Sequence, residues 1–157
     1  MNNILGRLYG WFKTFWCQNL DYFLWGYDPA VGGYTNQNVF NLIGLITLSV
    51  SLIIVLFYYY IFNHPRFCRW WSWLITMALC GFIGLIIGSE TVLSRYNNGI
   101  IPADLMWDYS TEPATLLITT ADCWGVGIAN IFIAAIFFII LSFAFKWWSP
   151  AAKHVPV

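Results

Sequence analysis

Asn130 stands well inside a long uncharged run, and its carboxamide is the most polar group that the sequence places so deep in an apolar stretch. Hydrocarbon leaves such a group unpaired, so a Ser or Thr hydroxyl or a backbone carbonyl from another helix has to reach it. Helix packing is therefore the expected role of Asn130. Lining a pore is the sharper reading, but a conduction path ordinarily adds ionisable companions or several polar rings. Glu90 is the second candidate. It lies just past Gly88, where the apolar core of its segment stops, and a helix continued to Leu93 sets its carboxylate in or just under a headgroup layer. There it is either an intramembrane acid with a function or an ordinary solvated acid near Arg95, and the position of Gly88 makes the second the expectation.

Other chemistry is sparse. His64 and Cys68 have a helical spacing for two metal ligands, but Pro65 follows the histidine directly and no further ligand is close in sequence. His154 has no companion in the tail, and neither histidine falls inside a span, where it would ligate a haem between helices. Asp104, Asp108, Glu112 and Asp122 share one polar connection without the spacing of an EF-hand calcium loop. Cys17, Cys68, Cys80 and Cys123 form no CxxC pair and read as packing residues. The chain lacks GxSxG, HExxH and a phosphate-cradling loop, and its marginal histidines supply no Ser/His/Asp set. No catalytic residue, cofactor or metal is expected; a membrane enzyme whose site another chain completes is the enzymatic role left open.

A third set of residues is notable for being small. Cys80, Gly84 and Gly88 recur at four-residue intervals with Gly81 beside them, a stripe that lets helix backbones approach closely. Asn41, Gly44, Thr47 and Ser51 form a comparable face on one span, and Gly127, Asn130 and Ala134 on another. These faces are expected to meet one another within the chain, with self-association as the alternative.

Composition dictates what positions these residues. Of 157 residues, 60% are hydrophobic and 9% charged, too little polar surface to cover a soluble domain of this length. Seven basic and seven acidic side chains leave no net charge, so nucleic acid is not an expected partner. Three apolar stretches, 39–62, 70–94 and 123–148, are each long enough for a hydrocarbon core of roughly 30 Å. Ahead of them, residues 1–26 alternate at helical spacing, with Leu5, Leu8, Phe12, Phe15, Trp16 and Phe23 on one side. Asn3, Arg7, Gly10, Thr14, Gln18 and Asp21 fall on the other. This amphipathic helix is expected either to lie in the membrane interface or to pack on the rest of its own complex. It lacks the uninterrupted apolar run and cleavage site of a signal peptide.

Residues 27–38 read as a Gly/Pro turn, 63–69 as a short loop and 149–157 as a tail. The connection 95–122 carries breakers, a short helix capped by Asp104, and a second helix start at Thr111-Glu112-Pro113. The expected fold class is an all-α membrane protein, three transmembrane helices preceded by an N-terminal interfacial amphipathic helix.

Arg66 and Arg69 between the first two spans, and Lys146 and Lys153 after the third, place those segments on the cytoplasmic side. The acidic connection 95–122 and the N-terminus then face outward, despite Arg7 and Lys13, in a cell inner or plasma membrane. Tyr58, Tyr59, Tyr60, Trp70, Trp71, Trp73, Trp147 and Trp148 fall at the inward ends and suggest an aromatic belt. Contact features without reaction chemistry suggest a non-catalytic subunit of a larger membrane assembly, with the lipid bilayer and other membrane-protein subunits as partners. The alternative is a homo-oligomeric channel or membrane-disrupting effector, associating through Cys80, Gly84 and Gly88 around Asn130 or Glu90.

Overall fold

The structure, a computed structural model, describes residues 4–35, 38–61, 70–110 and 112–146. It is mostly helical, at 74%, and three of its helices are long and apolar enough to cross a membrane, which is compatible with an integral membrane protein. The first, α3 (Val39–Leu56), begins where the Asn38 side chain accepts the Asn41 N–H at 3.2 Å, and it runs on as a π-helical turn, Phe57–Ile61. The second, α4, extends over Trp70–Asn97, past the expected end at 94. The third, α6 (Thr120–Lys146), starts before the expected 123 because Asp122 Oδ2 accepts both the N–H and the hydroxyl of Thr119, at 2.9 and 2.7 Å. That carboxylate satisfies a donor that the helix start would otherwise orphan. No helix starts at Glu112-Pro113, where an extended segment follows instead. Loop 63–69 and tail 149–157 lie outside the described residues, and with them His64, Cys68, His154, Arg66, Arg69 and Lys153, as do Trp147 and Trp148.

The N-terminal segment departs from the single amphipathic helix expected over 1–26. It consists of α1 (Ile4–Gly10), a 3-10 turn (Lys13–Phe15) and α2 (Gln18–Leu24), folded back over the starts of α3 and α6. The break follows from what each piece packs against. Tyr9 stacks on Phe40 with centroids 4.9 Å apart, and Phe12 stacks on Phe132 at 5.4 Å, so the apolar side chains fill the gap between two helices. Helical spacing sets Asp21 on the polar side, yet it is buried, taking the Trp16 indole N–H at 3.3 Å and facing Lys13 Nζ at 3.7 Å.

Two short antiparallel ladders complete this cap. In place of a plain turn over 27–38, β1 (Tyr27–Asp28) pairs with β2 (Gly33–Tyr34), the reversal made by Gly32 at φ 66°. In the long connection, α5 (Ala103–Met106) has Pro102, not Asp104, at its cap, and β3 (Trp107–Asp108) pairs with β4 (Thr115–Leu116). Apolar packing divides between a cluster under the cap, around Tyr9, Phe40, Ile43 and Val126, and one at the far end, around Val55, Tyr59, Trp73 and Phe138. That far cluster takes in Tyr58, Tyr59 and Trp73, so Tyr60, Trp70 and Trp71 are the described aromatics of the expected belt that remain exposed.

Candidate functional site

The small residues of α4 are spent against α6. A methyl group added to Gly84 would meet Ala134 Cβ at 2.8 Å and the Asn130 carbonyl at 3.0 Å. One added to Gly88 would meet Asn130 Cβ at 2.9 Å and Gly127 Cα at 3.0 Å, and one on Gly127 the Leu85 carbonyl at 2.9 Å. Gly81 faces Ile131 Cγ2 at 3.0 Å in the same sense. The two backbones therefore touch along this seam, where a side chain would hold them apart. Cys80 lies at its far end, with its Sγ 3.3 Å from Ser51 Oγ of α3 and 3.9 Å from the Ala134 carbonyl. Gly44 belongs to a different contact: it faces Leu5 Cβ of α1 at 3.1 Å.

Asn130 sits where these contacts converge and is fully buried. Its Nδ2 donates to the Gly84 carbonyl of α4 at 2.7 Å and to Thr47 Oγ1 of α3 at 2.9 Å, and its Oδ1 accepts the Tyr9 hydroxyl of α1 at 2.6 Å. Thr47 can accept because its own proton goes to the Ile43 carbonyl at 2.8 Å. These partners fix the amide orientation, since a flipped amide would set its oxygen against the Gly84 carbonyl. Burial pushes the Tyr9 phenol well above the ordinary tyrosine range, which keeps it a protonated donor. One carboxamide thus joins four segments of the chain with both its N–H groups and its oxygen engaged.

Above this junction, Asp122 links cap to helix a second time, because its Oδ1 accepts the Cys17 N–H at 2.8 Å while its Oδ2 holds Thr119. Gly125 makes room for the 3-10 turn: the Phe15 carbonyl occupies the place where its side chain would be. Reasoning from the sequence missed Tyr9 and Gly125. The signal for Tyr9 was the buried Asn130 oxygen, which demanded a donor, but nothing in the spacing of residues 1–26 says that this segment supplies it.

Glu90 is placed differently from the rest. It is exposed, on an outward stripe of α4 with Trp71, Ile75, Leu79, Phe82 and Ile86, all three or four residues apart. It is about 10 Å short of the helix end at Asn97. Arg95 is about 140° away around the helix, and Glu90 has no hydrogen bond or ion pair among the described residues. Glu90 and Arg95 therefore do not pair.

Among the described residues no group of three His, Cys, Asp or Glu side chains could hold a metal ion. Of the loop acids, Asp108 bonds the Ser110 hydroxyl and N–H at 2.6 and 2.9 Å, which holds its carboxyl below the usual range. Cys17, Cys80 and Cys123 are free thiols. The chain matches no family model, no curated protein and no solved structure.

Proposed function

We propose that the chain is a non-catalytic subunit of a larger membrane assembly, docked to its neighbour through the outward face of α4. The observation that carries this reading is Glu90. A carboxylate that continues an otherwise apolar stripe is costly wherever that stripe meets lipid, and such groups pair with a donor or a cation. This chain supplies none among its described residues, which makes a neighbouring helix with a Lys, Arg or neutral donor at that depth the natural partner. In this reading the cap and the acidic connection face outward, and the N-terminal segment seals the ends of the helices rather than lying freely in the interface.

The alternative reading, a homo-oligomeric channel, has less to draw on. The Cys80-Gly84-Gly88 stripe is filled by α6 of the same chain, and the Asn130 amide is saturated. The test is the mass of the particle extracted from native membranes in mild detergent. The subunit reading expects a complex of fixed stoichiometry with other chains, lost in Glu90→Ala and largely kept in Glu90→Gln. A monomer in wild type, or a ring of identical copies that passes ions in liposomes, would overturn it.

A further inference from the structure

A cleft of about 150 Å³ opens where the cap meets the ends of the long helices. Its construction follows from two turns. Gly99, at φ 65°, reverses the chain after α4, and the Ile100 N–H bonds the Arg95 carbonyl at 3.0 Å, bringing Ile100 and Pro102 back over the helix end. On the other side Thr35 closes the β1–β2 hairpin, donating through its N–H and its hydroxyl to the Gly26 carbonyl at 2.7 and 3.0 Å. Between them lie Phe23, Tyr27 and Val39 as apolar wall, and Arg95 and Asp28 as charged lining.

The two charges are the informative part. Arg95 is on the last turn of α4, where the carbonyl end of the helix favours a cation. Its guanidinium has no hydrogen bond or ion pair among the described residues, although an acid lines the same cleft. Asp28 spends one oxygen on the Ala30 N–H at 3.0 Å, and its other oxygen has no partner among the described residues. A rigid planar fork and a carboxylate that share a cleft without joining each other match a ligand carrying both an anion and a cation.

We propose that this cleft binds a phosphate-amine zwitterion, the headgroup of an ethanolamine phospholipid. The phosphate engages Arg95, the ammonium engages Asp28, and the glycerol end passes over Val39 at the start of α3 toward the hydrocarbon. The size fits: the cleft has room for on the order of five waters, comparable with the roughly eight heavy atoms of phosphoethanolamine. The position fits as well, since the start of α3 and the end of α4 both border it, which is headgroup depth for helices of this length. Asp28 makes the site selective, because a carboxylate near the phosphate position disfavours a headgroup of net negative charge and a bulky quaternary amine cannot donate to it.

The experiment is lipid retention by the whole protein, read by native mass spectrometry after exchange into nanodiscs of equal parts ethanolamine, choline and glycerol phospholipids. Wild type is expected to retain the ethanolamine lipid at least fivefold over each of the others. Arg95→Gln is expected to lose that retention. Asp28→Asn is expected to shift preference to the anionic glycerol lipid, a reversal that general loss of folding would not produce. Soluble phosphoethanolamine added in millimolar amounts distinguishes the source, since displacement of the lipid by it would mean that a free zwitterion is the ligand rather than a lipid. Equal retention of all three lipids by wild type overturns the proposal without reference to any variant, as does an Asp28→Asn profile identical to wild type.

Discussion

Replacing Asn130 with Ala removes one side chain and disconnects four segments at once. Three hydrogen bonds are lost, to the Gly84 carbonyl, the Thr47 hydroxyl and the Tyr9 hydroxyl. Interhelical hydrogen bonds in membrane proteins contribute about 0.6 kcal/mol on average and at most about 1.7, because the membrane-embedded unfolded chain also finds partners. Three of them amount to about 2 kcal/mol, roughly a thirtyfold shift in the folding equilibrium. The buried phenol of Tyr9 loses the oxygen to which it donates, which raises the cost further. Equilibrium unfolding by increasing SDS fraction in mixed micelles, followed by tryptophan fluorescence, measures this directly. Tyr9→Phe should cost about 1 kcal/mol in the same assay and speed proteolysis of the N-terminal segment, since it cuts only the link to α1. The double variant should cost less than the sum of the two single ones by about 1 kcal/mol, the coupling between hydroxyl and amide. An Asn130→Ala protein within 0.5 kcal/mol of wild type, or strictly additive effects with Tyr9→Phe, would refute the junction as the link between cap and helices.

Two further outcomes are expected. Gly84→Leu should separate α4 from α6 and destabilise by at least about 3 kcal/mol, because the neighbours that meet the new side chain include backbone, whereas Gly10→Ala, with open space around it, should be neutral or slightly stabilising in the same assay. Burial, helped by the nearby Asp122 carboxylate, pushes the Cys17 thiol above its ordinary value of 9.0. Maleimide labelling of Cys17, followed by peptide mass mapping, should therefore rise with pH later in the folded protein than in SDS. With the folded value raised, the associated stability is full below pH 9 and declines as pH climbs through the folded value. Coincident labelling profiles in the two states would remove the basis for docking of the segment at Asp122.

Much of the fold was legible because it follows from solvent preference alone. The three apolar stretches were recognisable from length and lack of charge, and among the described residues α4 ends at Asn97 rather than 94 and α6 starts at Thr120 rather than 123, where Thr119 and Asp122 cap it. The stripe of Cys80, Gly84 and Gly88 was legible as a packing face, since the absence of a side chain is a local property. Its occupant was not legible, because α6 and a second copy of α4 offer the same kind of surface to a sequence pattern.

The N-terminal segment shows where local information stops. Its amphipathic spacing was real, but the same spacing serves a helix in the interface and a segment folded onto its own chain. The choice was made by residues far away in sequence: Phe132 for Phe12, Gly125 for Phe15, Asp122 for Cys17 and Asn130 for Tyr9. Glu90 illustrates the converse, since its type was plain but its direction depended on which face of α4 the seam consumed. The sequence by itself determined that three helices would be apolar and that one deep amide would need partners, because burial costs belong to each residue. Only the tertiary structure decided which partners met it and which carboxylate was left facing outward, because those depend on how four segments divide a limited contact surface.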